Sequence, residues 1–305
     1  MRSFHVRVTL GVCITMLAAA PGARAQQGGG MAGMAGMDHH DKPAALSAKT
    51  RQEIADVRAA LTPLTSTDAA KSAGFEPKFG WIATMGVHWV DVSRMSKAAQ
   101  STLKSPDNLM FSRINGRDSL VGAAFAYLTQ AGDTVVPPLF DSHPPWHEHE
   151  GLAPPGQTLV MLHVWFVASP DGPFAGTNPN LPFWAAGLAA PDSARMHDAA
   201  FSARVRRAAL AIGEALDSTS IFPKLGGRPA MQPYLAPRRD SVRVVIAELL
   251  AAQKAADAAR CDRAADRAAA LWDSIYRVYL GAARTPDVRQ RIERQASMLL
   301  GQHKH

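Results

Sequence analysis

Three kinds of hydrophobic patterning follow one another along this chain. The first is a short run without period, "VTLGVCITMLAAA", preceded by Arg2 and Arg7 and followed by the small-x-small triplet Ala23-Arg24-Ala25. These are the three parts of a secretory signal peptide. Residues 1–25 are expected to be removed after Ala25, leaving a periplasmic or secreted protein. The run is too short to be a permanent anchor, and no later stretch reaches the roughly 18 uninterrupted apolar residues of a spanning helix. No membrane span is expected after cleavage. Residues 26–45, "QQGGGMAGMAGMDHHDKPAA", hold almost no bulky apolar side chain and read as a flexible Met-, Gly- and His-rich linker.

The second pattern begins after a short amphipathic helix, for which Ile54, Val57 and Leu61 have the right spacing and which ends before Pro63. From 75 to 170, Gly and Pro punctuate short runs rich in aromatic and β-branched residues. "LMFSRI" and "DSLVGAAFAYL" flank Asn115-Gly116, the strongest short hairpin signal, and predict two antiparallel strands. "QTLVMLHVWFV" predicts a further strand, apolar on both faces and hence central. Residues 170–191 are a Pro/Asn/Gly-rich connector.

The third pattern is helical. "DSARMHDAAFSARVRRAALAIGEAL" opens with capping residues and continues in strong helix formers. A Pro/Gly loop, "FPKLGGRPAMQPYLAPRRD", precedes one long Ala-rich segment from about Asp240 to Leu280. Thr285-Pro286-Asp287 reads as the N-cap and first turn of a last helix. The expected class is α+β: a small, mostly antiparallel β domain over 46–190, with the N-terminal helix and a histidine cluster, then a helical region over 191–305.

Charge and cysteine content narrow the function classes. The formal net charge is +7, and the signal segment carries Arg2, Arg7 and Arg24 and no acid, so +4 remains after processing. The basic residues are spread along the helices, which is no nucleic-acid footprint. Of the two cysteines, Cys13 leaves with the signal, so Cys261 has no partner for an intramolecular disulfide. There is no phosphate-binding P-loop, no H-E-x-x-H helix and no G-x-S-x-G elbow.

The candidate chemistry lies in histidines. Five of the eleven fall between 88 and 163: His88, His143, His147, His149 and His163. In an extended segment His147 and His149 point the same way, about 7 Å apart along the strand. Glu148 then faces away, and Glu150 is read as sharing the histidine side. His163 sits mid-strand among apolar neighbours, where an imidazole needs hydrogen-bond partners or a metal. The loop "GLAPPGQ" has the length to bring His163 back as the next antiparallel strand beside the H-x-H segment. His88, in "MGVHWVD", has a similar setting. Three or four imidazole donors suit zinc, copper or iron(II). Glu150, Asp91 and Asp141 are candidate oxygen ligands or acceptors that fix the imidazole tautomers. Trp89, Trp146, Trp165 and Phe166 are candidate pocket walls. The opposing reading is a buried polar cluster in which His, Trp and Glu satisfy one another.

The H-x-H pair, a following Glu and a later strand histidine resemble the metal motif of the cupin family, in which these residues bind one divalent ion inside a small barrel. Here Glu150 follows His149 directly, whereas the family places several residues between. The set "GVHWVD", "PPWHEHEG", "LHVWFV" and "GPFAGTNP" resembles an uncharacterised family of exported bacterial proteins. "MAGMAGMDHHD", with Met31, Met34, Met37, His39 and His40, resembles the methionine-rich copper-capturing segments of periplasmic copper-resistance proteins. Three functions follow as expectations: a periplasmic zinc or copper handler, a metal-dependent oxygenase or hydrolase using the same site, or a metal-free protein that binds a partner through its helical half.

Overall fold

A computed structural model describes residues 46–95, 102–132, 137, 139–140, 146–149, 153–216 and 228–301. The signal segment, the Met-rich linker, Asp141, His143, Glu150 and the C-terminal histidines lie outside the described residues. Everything described belongs to one compact unit.

The chain enters through α1 (Ala48–Ala60), which Ser47 caps by accepting a hydrogen bond from the Thr50 amide at 2.9 Å. A turn at Pro63 leads to α2 (Thr67–Ser72), capped in the same way by Ser66. Two strands then form a hairpin: β1 (Glu76–Ile82) and β2 (Gly86–Val90), joined at Ala83-Thr84-Met85. Sequence patterning alone left "FGWIATMGVHWV" undivided. The break falls where Gly86 takes φ 76°, with the Phe111 carbonyl only 2.3 Å from where a Cβ would stand.

After the single turn α3 (Val92–Met95), β3 (Asn108–Ile114) and β4 (Arg117–Gln130) form the hairpin that Asn115-Gly116 predicts. Asn115 at φ 51° and Gly116 at φ 77° both adopt the left-handed conformation that a two-residue hairpin turn requires. β5 (His147–His149) and β6 (Gln157–Trp165) complete an antiparallel sheet of order β1-β2-β3-β4-β6-β5. The β6 strand is flanked on both sides, as its two apolar faces predict.

One face of the sheet, through Leu109, Phe111, Ala123, Phe125, Leu162 and Val164, packs on Val57, Leu61 and Ala70 of the first two helices and on Phe75. On the other face, Met110, Val121 and Trp165 meet Leu181 of α4 (Asn180–Ala185), a helix inside the segment expected to be a plain connector.

The remaining chain is helical: α5 (Ala199–Leu216), α6 (Arg228–Lys254), α7 (Ala258–Ala282) and α8 (Pro286–Leu299). Thr285 caps the last helix with Pro286 at its first position, as the sequence predicts. Two expectations are corrected. The Asp240–Leu280 segment is not one helix, because Ala256 turns into a positive φ of 52° and Asp257 caps a new start at the Arg260 amide. The Pro/Gly loop also ends earlier than expected, at Arg228, and Pro233 and Pro237 lie within α6. Neither proline can donate to the carbonyl four residues before it, at Pro229 and Pro233, so two helical bonds are forgone. Burial of Met231, Leu235 and Val242, all at most 3% exposed, offsets that loss.

The helices are tied by a buried polar knot. Glu214 of α5 lies 3.0 Å from Arg239 of α6 and accepts a hydrogen bond from the Tyr279 hydroxyl of α7 at 2.9 Å. A cleft of about 410 Å³ runs beside Phe201 between α5 and α7. Its Arg204 and Arg207 pair with Asp266 and Asp273, and none of the strand histidines lines it. No described helix is long and apolar enough to cross a membrane.

Candidate metal centre

Strand alternation decides which way each imidazole points. On β6, His163 shares a face with Met161 and Leu159, and these two are the cross-strand partners of His147 and His149. His147 therefore lies diagonal to His163 rather than opposite it. His163 faces Ala124 on β4, and His88 faces Met110 on β3, which faces Gly122. All four histidines thus project from one face of the sheet, away from α1 and α2.

In a flat sheet, three strand spacings of roughly 14 Å would separate β2 from β6. Yet His88 Nε2 is 3.3 Å from His163 Nε2. The sheet is coiled so that the histidine face is concave. A β-bulge supplies the bend: Met110 pairs with Gly122 and Phe111 with Leu120, which leaves Val121 as the extra residue. Small residues supply the room. Gly122, Ala124 and Ala126 line the same face of β4 between the two rings. At Gly122 a Cβ would stand 2.5 Å from Met110 Cε and 2.6 Å from the Val164 carbonyl oxygen.

The cluster has a buried floor and a more accessible rim. His163 is fully buried and His88 is 5% exposed. His147 and His149 are half-buried on the short strand β5, with their Nε2 atoms shielded from solvent. The His147 ring centroid lies 4.9 Å from those of His163 and His149, and His88 lies 5.4 Å from His163. His147 is therefore the hub that joins the floor to the rim.

Burial, and secondly the nearby His147, lower the His88 pKa to about 4. Burial also holds His163 well below its ordinary value, with His147, His88 and His149 acting in the same direction. The Gly176 backbone opposes this, although His163 Nδ1 makes no hydrogen bond of full geometry to it. Both floor imidazoles are neutral at physiological pH, with a lone pair available on each ring. Two neutral Nε2 atoms 3.3 Å apart require one ring to donate and the other to accept. The same separation, about 3.3 Å, is the edge of a tetrahedron drawn around an ion with Zn–N bonds of about 2.0–2.1 Å.

Among the described residues, no three His, Cys, Asp or Glu side chains already stand in coordinating geometry.

Two further expectations change. Asp91 does not serve the imidazoles: its carboxylate accepts from Ser93 Oγ at 2.6 Å and pairs with Arg94 at 2.8 Å. Trp89 packs on Phe111, Trp146 on Tyr127 and Phe166 with the first-helix core, all on the opposite face. Only Trp165 stands beside the cluster, 6.0 Å from His163. Glu150, Asp141 and His143 lie outside the described residues.

Two contributors were missed from sequence. The Gly176 backbone lies beside His163, and the chain just beyond it is fixed by Asn178 and Asn180, whose side-chain amides both donate to the Ala168 carbonyl. The small-residue strip on β4 was the other, and its signal was present in "VGAAFA", where Gly122, Ala124 and Ala126 recur at the strand period.

No protein-family model, curated protein or solved structure matches this chain.

Proposed function

We propose that the protein is an exported metal-binding protein whose ion, zinc or copper, is held by His88, His147, His149 and His163. One observation carries the reading: four imidazoles from three strands gather on the concave face of a coiled sheet, with two Nε2 atoms at 3.3 Å. Imidazole is a borderline donor that suits zinc and copper(II). Burial keeps His88 and His163 neutral, so an ion would release no net proton from either, although the ring that donates from Nε2 would change tautomer to bind through that atom. Burying several polar rings in an otherwise apolar sheet is costly unless their nitrogens are engaged, and an ion engages them together. The Met- and His-rich linker would be a second, looser collecting segment for copper, and the signal peptide supports export.

Elemental analysis of the natively purified mature protein is expected to find about one equivalent of zinc or copper per chain. The His147→Ala/His149→Ala variant is expected to lose it while keeping the wild-type circular dichroism spectrum. Full occupancy in that variant would overturn the assignment.

A further inference from the structure

We infer that Asp107 is a buried counter-charge for an ion in the histidine cluster, and that arrival of the ion expels a proton from the Asp107 carboxyl group. This rests on the metal reading above and assigns a proton linkage to that site.

Two carboxyl side chains are buried among the described residues, those of Glu214 and Asp107. Glu214 is paired with Arg239, as described above. Asp107, 2% exposed, is held by neutral donors alone. The Ala126 amide of β4 approaches its two oxygens at 3.0 and 2.9 Å, and the Asn108 side-chain amide donates to Oδ1. Among the described residues, the charged groups on this side are Arg94 and Asp91, next to or in α3, and the exposed Lys104. Arg94 acts on Asp107 only at a distance, because its guanidinium is engaged by Asp91 at 2.8 Å. Hydrogen-bond donors favour the carboxylate and burial disfavours it. Burial prevails and raises the pKa from 3.8 to about 7, so a proton is part-occupied there at neutral pH.

The sheet ties this group to the imidazoles. Ala126 faces Met161, which faces His147; Asn108 faces Ala124, which faces His163. Each row spans two strand spacings, roughly 10 Å. The intervening residues, Met161 and Ala124, are apolar and at most 5% exposed, so little water screens the path. Over that distance, at an effective dielectric constant of about 20, a divalent ion makes the Asp107 proton leave about a hundredfold more readily. Donor chemistry acts in the same direction. Every hydrogen bond that Asp107 receives comes from an N–H, so its protonated form finds an acceptor only if the Asn108 amide turns over. The ion enters, the proton leaves to solvent, and one of the ion's two charges is balanced inside the fold.

The test uses the mature protein, stripped with chelator and titrated with zinc, beside Asp107→Asn. Zinc affinity is measured at about pH 7.5 and about pH 5.5. Protonation of the histidines weakens binding in both proteins, so the difference between them reads Asp107. The wild type is expected to lose about tenfold more affinity than Asp107→Asn over that interval. Infrared difference spectra of wild type carrying isotope-labelled aspartate, taken near neutral pH, are expected to show zinc converting a protonated carboxyl band into a carboxylate band. Asp107→Asn should lack that change. Zinc uptake with the same pH dependence in both proteins would overturn the inference and leave the metal reading intact. If Asp107→Asn does not fold, the wild-type spectra decide: zinc uptake without a carboxyl change overturns the inference. Failure of the wild type to take up zinc or copper would remove both.

Discussion

Acid is expected to destabilise the metal-free protein through its buried histidines. The His88 pKa is lowered from an ordinary 6.5 to about 4 in the fold. Between those values the unfolded chain binds a proton that the folded chain does not, so stability falls as pH falls through that window. At pH 7 both states are unprotonated and His88 contributes nothing to the pH dependence. The full loss below pH 4 is about 3 kcal/mol, with about 2 kcal/mol already gone at pH 5. That is a sizeable part of the roughly 5–15 kcal/mol that holds a domain folded. His163 shifts in the same direction and is coupled to it, which adds to the loss. Urea unfolding of chelator-treated protein, followed by circular dichroism at about pH 7 and about pH 5, measures the effect. The wild type should lose about 2 kcal/mol more than His88→Gln over that interval. Equal pH sensitivity in the two proteins would show that His88 is not held neutral by the fold, and the account of the cluster would fail.

Other perturbations test the scaffold. Gly122→Ala places a Cβ against the Val164 carbonyl and Met110, so it should cost about 1–3 kcal/mol in denaturant unfolding and, by prising β4 from β6, weaken metal retention; wild-type stability would show that the coiled sheet has slack there. Glu214→Gln leaves Arg239 buried at 4% side-chain exposure without its counter-charge and should cost about 3–5 kcal/mol. The Glu214→Leu/Arg239→Met pair should recover most of that loss, and failure to recover would mean that the knot also positions Tyr279. Gly116→Val forces a β-branched residue to φ 77° at the β3–β4 turn and should lower the melting temperature by several degrees without altering metal content.

The hairpin at Asn115-Gly116, the cap at Thr285 and the first helix were legible in the sequence because each rests on local chemistry: a turn that needs positive φ, a hydroxyl that meets free amides, a stripe of apolar side chains. The split at Ala256 and the start of α6 were not, since Ala-rich composition favours helix on both sides of a break and proline disfavours it where packing nonetheless prevails. In the same way, strand alternation placed His147 and His149 on one side and its period tied them to His163. Alternation is a property of neighbouring residues, so it could say nothing of His88, 75 positions away from His163. Their meeting depends on a bulge at Val121 and on side chains small enough at Gly122, Ala124 and Ala126 to let the sheet curl. The residue types and their periods determined that this chain carries imidazoles on strands. Only the curvature of the assembled sheet, set by packing between strands distant in sequence, decided that four of them share one concave face.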